Sequence, residues 1–230
     1  MSNRKMISWI ALLALPLSLL SFFVFSHPFR DEIASRTFGL SYLSSTQVNN
    51  ISIAANALDG YVLEPGQVFS FNRVVGPRTD SKGYRSARSY LGNESPATFG
   101  GGICLLSSGL YQDALIAGLK IEERLPHLRT ISSVEPGLDA TVWYGNADLK
   151  IRNTTAHPLQ IKAEVRDHNL YIKFMSENAA DMPGKAELST FVTRRTKNEL
   201  LVEVFRNVAG KRCFVSRDRY QLSSAPGARS

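Results

Sequence analysis

Residues 99–118 of the chain read FGGGICLLSSGLYQDALIAG. Three consecutive glycines permit backbone conformations that other residues avoid, and they let a neighbouring group approach closely. Behind them the apolar side chains recur at helical spacing and Gly118 is a typical helix end. These apolar residues are Ile103, Leu106, Leu110, Ala114 and Ala117. The stretch therefore predicts a helix that begins beside a close approach of two backbone segments.

The regions on either side of this stretch predict one more long helix and several strands. Ile51, Ala54, Ala55 and Leu58 have helical spacing, and Gly60 follows them. Alternating apolar residues predict a hairpin of residues 159–165 and 170–174. Shorter strands are predicted at 68–71, 119–124, 140–144 and 149–152. The predicted fold class is α+β, with a mostly antiparallel sheet and two main helices in the domain.

Composition shifts suggest where the domain begins and ends. Residues 27–47 are polar and mixed and are predicted to form a stalk, and residues 48–222 to form the domain. Residues 72–98 are rich in Gly, Pro, Ser and Arg and predict a long loop. Strands at 199–206 and 212–217 either close the main sheet or belong to a β appendage at 186–222. Residues 223–230 are predicted to be a loose tail.

The N-terminus predicts a membrane helix. Residues 7–25 contain no charge and span about 28 Å as a helix, close to the thickness of a hydrocarbon core. Arg4 and Lys5 precede the run and place the N-terminus in the cytoplasm. The run is longer than a cleaved signal and ends in bulky residues, which favours a retained anchor over a removed signal. Residues 1–26 are thus predicted to hold the domain outside the cytoplasm, in a single pass through the cell membrane.

The net charge of +7 predicts a basic surface. Anionic headgroups or acidic wall polymers would suit such a surface as partners. Nucleic acid is not predicted as a partner, because the N-terminus directs the domain out of the cytoplasm. The sequence contains no metal-site spacing and no phosphate-binding glycine loop, so no metal and no cofactor are predicted.

Cys104 is the candidate nucleophile. At the start of a helix, free N–H groups and the helix dipole favour a thiolate and can stabilise an oxyanion beside it. His127 is the candidate base and Asp139 the candidate residue that orients it. Two other interpretations stay open: Cys104 is a small buried apolar residue, or it forms a disulfide with Cys213. The residues predicted to bind substrate are Arg78, Tyr84, Gly101, Gly102 and Tyr111.

Residues 50–164 resemble the VanW family, which is named for the vancomycin B-type resistance accessory protein. The runs that carry the resemblance are LEPGQVFSFN at 63–72, VGPRT at 75–79, GGGIC at 100–104, ER with His127 at 123–127, and PG with DATV at 136–142. The resemblance implies a role in the bacterial envelope and, in some operons, in glycopeptide resistance. The chain departs from the family at Leu105 and Leu128, where Gln and Ser are usual.

Two functions are consistent with these observations. The first is a membrane-anchored envelope protein that acts on or binds peptidoglycan or another wall polymer. The second is a cysteine-dependent amidase, peptidase or transpeptidase that uses Cys104, His127 and Asp139. Leu105 bears on the choice, because a Gln side chain donates a hydrogen bond to an oxyanion and a Leu side chain has no such donor.

Overall fold

The computed structural model describes residues 29–89, 97–179 and 186–222. The predicted anchor at residues 7–25 and the predicted tail at 223–230 lie outside the described residues. Within the three described ranges, no helix has the length and apolar character needed to cross a membrane.

Three α-helices and one 3₁₀ turn occur in the described ranges. They are α1 (Ser45–Leu58), α2 (Phe71–Val75), the 3₁₀ turn (Asp80–Lys82) and α3 (Cys104–Ala117). Helices α1 and α3 are the two main helices that the sequence predicts, and the structure confirms both. A capping box of Ser44 and Gln47 starts α1. Gly118, in the left-handed conformation, ends α3.

Twelve strands lie in the described ranges, and every pair of neighbouring strands runs antiparallel. They are β1 (Asp31–Gly39), β2 (Val62–Leu63), β3 (Val68–Ser70), β4 (Ser86–Arg88), β5 (Ala97–Phe99), β6 (Lys120–Glu123), β7 (Lys150–Arg152), β8 (Leu159–Arg166), β9 (Asn169–Ser176), β10 (Glu187–Arg195), β11 (Glu199–Val208) and β12 (Lys211–Gln221). The α+β class with mostly antiparallel sheets is therefore confirmed.

The main core lies between the largest sheet and the two long helices. This sheet has the strand order β1-β9-β8-β2, and the predicted hairpin forms its central strands β8 and β9. Helix α3 packs against β1 and β9, and α1 packs against β8. Side chains such as Ile51, Leu110, Ile161 and Phe174 are fully buried between them. Because α3 is fixed along its length, its first residue, Cys104, has a fixed position.

Part of the predicted stalk belongs to the main sheet instead. Strand β1 pairs with β9 from Asp31 opposite Ser176 to Gly39 opposite Asn169. Ile33 and Ala34 are buried in the core. Its two buried residues, Ile33 and Ala34, are adjacent at a register shift and are flanked by polar residues, so no alternating pattern marks this edge strand.

Two further predictions differ from the structure. Residues 72–98 were predicted as a loop, but α2, the 3₁₀ turn, β4 and the start of β5 all lie there. Residues 140–144 were predicted as a strand, but they form only single bridges, Thr141 with Leu125 and Trp143 with Ala147. Residues 140–142 are buried whereas Trp143 and Tyr144 are exposed, so the segment lacks the alternation of a strand as well as its ladder of hydrogen bonds.

Strands β10, β11 and β12 form a separate three-stranded sheet. They do not close the main sheet, which was one of the two alternatives for this region. Val204 of β11 nevertheless belongs to the main core. A Cβ atom on Gly137 would lie 2.6 Å from a methyl carbon of Val204, so the two segments pack closely. The C-terminal sheet is therefore part of the same packed structure as the predicted site.

The glycine triplet makes the close approach that the sequence predicts. A Cβ atom on Gly101 would lie 2.2 Å from the carbonyl oxygen of Ala87 in β4, closer than any side chain permits. Gly100 and Gly102 have φ angles of 82° and 101°, which favour glycine. These three residues hold the start of α3 against β4.

We expect Gly101→Ala to lower the free energy of unfolding by about 1–3 kcal/mol, because the new methyl group forces the backbone at Ala87 to move. Urea denaturation would measure the change. Gly39→Ala is the matched control: its Cβ atom would meet nothing nearer than 3.9 Å, so a change within about 0.5 kcal/mol is expected. Equal destabilisation by the two substitutions would contradict this account of the triplet.

Candidate active site

One pocket joins the glycine triplet to two of the three predicted catalytic residues. Its volume is about 310 Å³. Cys104 and His127 both line it. The other lining residues are Tyr42, Leu43, Gln47, Pro77, Arg78, Ser89, Thr98, Phe99, Gly100, Gly101, Gly102, Ile103, Leu105, Ile131, Ser133, Val142, Trp143 and Tyr144. The pocket is large enough for part of a peptide.

Cys104 is the first residue of α3 and is half-buried at the pocket wall. Its sulfur lies 3.7 Å from the carbonyl oxygen of Val142. The N–H groups of Leu105 and Leu106 donate to the carbonyl oxygens of Gly102 and Ile103. The N–H of Cys104 itself has no backbone acceptor among the described residues, as expected for the first turn of a helix. It remains available to a negatively charged oxygen beside the sulfur.

His127 and Asp139 form a buried hydrogen-bonded pair. Nδ1 of His127 lies 2.7 Å from Oδ2 of Asp139, and the backbone N–H of His127 donates to the same oxygen at 2.7 Å. The two contacts fix both the ring and the backbone of His127. Because Nδ1 is engaged with the carboxylate, Nε2 is the ring nitrogen left for a group in the pocket.

The pKa of His127 indicates which proton-transfer role suits the residue. Burial lowers this pKa, but the hydrogen bond to Asp139, the Cys104 sulfur nearby and the charges of both residues outweigh burial and raise it to about 9. At neutral pH the ring is therefore an imidazolium, which stabilises a thiolate at Cys104. Protonation of His127 stabilises the fold below its unfolded pKa near 6.5, and this contribution is lost as pH rises toward about 9.

Asp139 is almost fully buried, at 1% exposed, and is surrounded by donors. Burial raises the pKa of Asp139, but the hydrogen bonds from His127, the charge of Arg124 and the hydrogen bond from Tyr220 outweigh it and lower the pKa. The Tyr220 hydroxyl donates to Oδ1 at 2.5 Å, and Nη2 of Arg124 lies 3.3 Å from the same atom. The carboxylate is thus held in its ionised form, as a partner of an imidazolium requires.

Arg124 connects Asp139 to the C-terminal sheet. Its Nη1 lies 2.7 Å from Oδ2 of Asp218 in β12, and its Nε donates to the backbone oxygen of Asp139 at 2.7 Å. The hydroxyl of Tyr220 accepts a hydrogen bond from the N–H of Gly137 at 2.6 Å. Two residues of β12 therefore help to hold the carboxylate behind His127.

The first turns of α3 hold the Asp139 segment on its other side. Ser108 accepts from the N–H of Ala140 at 2.9 Å and donates to the carbonyl oxygen of Cys104 at 2.6 Å. Ser107 donates to the carbonyl oxygen of Ala140 at 2.7 Å. These bonds link the backbone of the cysteine to the residue that follows the carboxylate. Cys104, His127 and Asp139 therefore lie together: the first two line the pocket, and the carboxylate is bonded to the imidazole.

Three of the five predicted substrate-binding residues line the pocket, and two do not. Arg78, Gly101 and Gly102 line it. Tyr84 and Tyr111 are each 1% exposed and do not belong to the lining. The ring of Tyr111 packs under the Arg124 guanidinium, 4.8 Å from it, so it supports the carboxylate network rather than a ligand. The sequence pattern does not indicate whether the side chains of Tyr84 and Tyr111 face the pocket or the core.

Both cysteines are free thiols, so the predicted alternative of a Cys104–Cys213 disulfide is wrong. Cys213 lies exposed in β12, while Cys104 lies at the pocket wall. Of the two residues at which the chain departs from the usual family sequence, Leu105 is buried against the pocket and Leu128 is 45% exposed.

Arg124, Tyr220 and Asp218 also belong to the site, although they are not among the residues predicted from the sequence. Arg124 stands three residues before His127, within one of the runs that carry the family resemblance. Asp218 and Tyr220 lie at the chain's far end, and nothing in their spacing relates them to Asp139. Among the described residues, no cluster of three or more His, Cys, Asp or Glu side chains is arranged to hold a metal ion.

Comparison with known proteins places the site within a known family. Residues 46–175 match the family model described as "VanW like protein". The chain is 39% identical over 135 residues to the uncharacterized protein YoaR of Bacillus subtilis (strain 168), covering 59% of this chain and 45% of that protein. It is 31% identical over 129 residues to the vancomycin B-type resistance protein VanW of Enterococcus faecalis (strain ATCC 700802 / V583), covering 54% of this chain and 47% of that protein.

Each match spans about half the length of the curated relative. No solved structure matches the chain significantly. The matched segment contains Cys104, His127 and Asp139, whereas Asp218 and Tyr220 lie beyond its end.

We expect Asp139→Asn to lower the pKa of His127 from about 9 by more than about one unit, because the negative charge is lost while burial remains. NMR titration of the ring protons would follow this pKa, with the His127 signal assigned by its loss in His127→Gln. Asp148→Asn is the control, since that carboxylate bonds to Ser70 and to backbone N–H groups instead. An unchanged titration of His127 in Asp139→Asn would contradict the pairing.

We expect Tyr220→Phe to lower the free energy of unfolding by about 1.5–3 kcal/mol, because a hydrogen bond to a buried charge is lost and the N–H of Gly137 loses its acceptor. Urea denaturation would test this. Tyr171→Phe removes a hydroxyl that has no hydrogen-bond partner in the described part of the chain, so it should change stability by less than about 0.5 kcal/mol. If both substitutions were equally mild, Tyr220 would not hold the carboxylate.

Proposed function

This chain belongs to the VanW family, and from that membership and its pocket we propose that it is a cysteine-dependent enzyme that cleaves or exchanges amide bonds in a polymer of the bacterial envelope. One observation carries the proposal: Cys104 and His127 line the same pocket, and Asp139 is bonded to the far side of the imidazole. The hydrogen bonds from His127 and Tyr220 and the charge of Arg124 stabilise this carboxylate in its buried position behind the imidazole.

The reaction follows the acid–base properties of the pair. The Cys104 thiolate attacks the carbonyl carbon of the amide, and the resulting oxyanion lies at the free N–H of Cys104. The His127 imidazolium then donates its Nε2 proton to the leaving nitrogen, the C–N bond breaks and a thioester remains on Cys104. His127, now neutral, takes a proton from water or from an acceptor amine as that group attacks the thioester, and the thiolate leaves.

The choice between hydrolysis and transfer depends on which acceptor reaches the thioester. Water gives an amidase or peptidase, and an amine gives a transpeptidase. The pocket favours an acceptor that tolerates apolar surroundings, because Leu105, Ile131 and Val142 are part of its wall. Leu105 also means that any side-chain donor usual at this position in the family is absent, so the oxyanion depends on the free backbone N–H of Cys104.

The envelope is the compartment that fits this function. One relative carries the printed name of a vancomycin B-type resistance protein. The uncharged run at residues 7–25 behind Arg4 and Lys5 suits an anchor that holds the domain outside the cytoplasm. The net charge of +7 favours acidic wall polymers as partners of the domain.

A second candidate function is binding to wall polymer without catalysis. Exposed cations at residues 73–88 favour it: Arg73, Lys82, Arg85 and Arg88 are all exposed, and of these only Arg85 pairs with a carboxylate among the described residues, that of Asp80. Leu105 and Leu128 favour it too, because both replace polar residues that are usual in the family. In this case the basic surface would bind wall material and Cys104 would form no intermediate.

We expect the protein to form a thioester on Cys104 when it is incubated with peptide fragments released from purified peptidoglycan by a muramidase. Intact-protein mass spectrometry would detect the adduct, and chromatography would detect the products. Cys104→Ala should abolish both, with a loss of at least about a thousandfold in rate. Cys213→Ser, which alters an exposed thiol away from the pocket, should retain both.

The same preparation separates the two candidates. Retention on insoluble wall material at low salt, with no product and no adduct on Cys104, would contradict the enzymatic function and support binding without catalysis. Failure to be retained at low salt, together with adduct formation, would exclude the binder.

A further inference from the structure

Arg78 has a fixed position at the pocket wall beside the glycine triplet. It follows α2, and a Cβ atom on Gly100 would lie 2.7 Å from its Cγ. The side chain therefore rests on the backbone of Gly100, and a larger residue there would displace it. Arg78 and Cys104 line the same pocket.

Most of the hydrogen-bonding capacity of this guanidinium is unused. A guanidinium carries five N–H donors. Nη1 donates to the carbonyl oxygen of Gly76 at 2.9 Å. Nη2 is buried and has no hydrogen-bond partner in the described ranges. A buried donor without a partner is destabilising, so a ligand that supplies an acceptor removes that cost when it binds.

No carboxylate among the described residues forms an ion pair with Arg78. The contrast with Arg124 is clear, since that buried guanidinium bonds to both Asp139 and Asp218. Asp148 affects Arg78 only through its charge, because its oxygens bond to Ser70 and to two backbone N–H groups. The charge of Arg78 is therefore not neutralised within the described part of the domain.

The surroundings of Arg78 strengthen any ion pair it forms. Its guanidinium carbon lies 5.4 Å from the centre of the Phe71 ring and 5.8 Å from that of Tyr144. Burial lowers the pKa of Arg78, and nearby Tyr84, Cys104, Asp148 and Tyr144 partly offset this. A partly desolvated guanidinium attracts a carboxylate more strongly than an exposed one, and its planar edge matches the two oxygens.

We propose that Arg78 binds a carboxylate of the substrate, so that the amide bond attacked by Cys104 lies next to a free carboxylate. This inference rests on the proposed function for the presence of a scissile amide bond. The carboxylate site itself depends only on Arg78. The carboxylate belongs either to the C-terminal residue that leaves or to an acidic side chain beside the scissile bond. Both present the same two oxygens to the guanidinium.

Equilibrium binding to Cys104→Ala tests the inference without any reaction. Three N-acetylated dialanine-type probes would be compared by calorimetry, with each stereoisomer measured: the free acid, the C-terminal amide, and an amide with an aspartate side chain in place of one alanine. We expect at least one acidic probe to bind about 10–100-fold more tightly than the neutral amide, as a charge-assisted hydrogen bond implies. Which acidic probe binds identifies the source of the carboxylate.

Substitutions in the same background identify the residue responsible. Arg78→Met should lower the affinity for the acidic probe to the affinity for the neutral amide. Arg78→Lys keeps the charge but not the planar guanidinium, so it should retain part of the preference for the acidic probe. Arg73→Met is the matched control, because Arg73 is exposed, does not line the pocket and donates to the backbone of Val68. Thermal unfolding would show that each variant is folded.

The outcomes separate this inference from the proposed function. Equal affinity for all three probes, or a preference that survives Arg78→Met, would overturn the carboxylate site. A preference for the acidic probe that depends on Arg78, in a protein whose Cys104 never forms a thioester, would support the carboxylate site and contradict the proposed enzymatic activity.

Discussion

The ionised carboxylate of Asp139 is the constraint on which this structure depends. A charge buried to this extent is tolerated only when hydrogen bonds and an opposite charge replace its hydration. Asp139 receives these from the ring and backbone of His127, from Arg124 and from Tyr220. Those donors come from two separate parts of the chain, so the carboxylate fixes the loop after β6 and the strand β12 relative to each other.

The position of the sulfur depends on a different constraint, the contact between backbones at the glycine triplet. Gly101 touches the Ala87 carbonyl, and the stem of Arg78 rests on Gly100. Together these contacts fix where α3 begins. Hydrogen bonds from Ser107 and Ser108 then tie the first turns of α3 to Ala140, beside Asp139. The two constraints meet at the pocket, which explains why Cys104 and His127 can face one another although 23 positions separate them in the sequence.

Sequence patterns predicted the local features and missed the distant ones, for a physical reason. Helices α1 and α3 and the β8–β9 hairpin were predictable because burying one face imposes a period on neighbouring residues. Strand β1 was not, since its buried residues Ile33 and Ala34 are adjacent and lie within a polar segment, so no alternation marks the strand. The candidate residues Cys104, His127 and Asp139 were suggested by their types and by their position near element ends. The side to which Tyr84 and Tyr111 would turn depends on packing, which leaves no periodic signal.

Tyr220 and Asp218 show how far the site extends beyond the segment that matches the family model. That segment ends at residue 175 and contains all three candidate reacting residues. Without β12, however, Arg124 would lose the carboxylate of Asp218, and Asp139 would lose the hydroxyl of Tyr220. Removing one partner of a buried ion pair costs about 3–5 kcal/mol, because the remaining charge stays buried. The matching segment thus contains the candidate reacting residues, and the C-terminal sheet supplies the electrostatic balance that lets a carboxylate remain ionised behind an imidazolium.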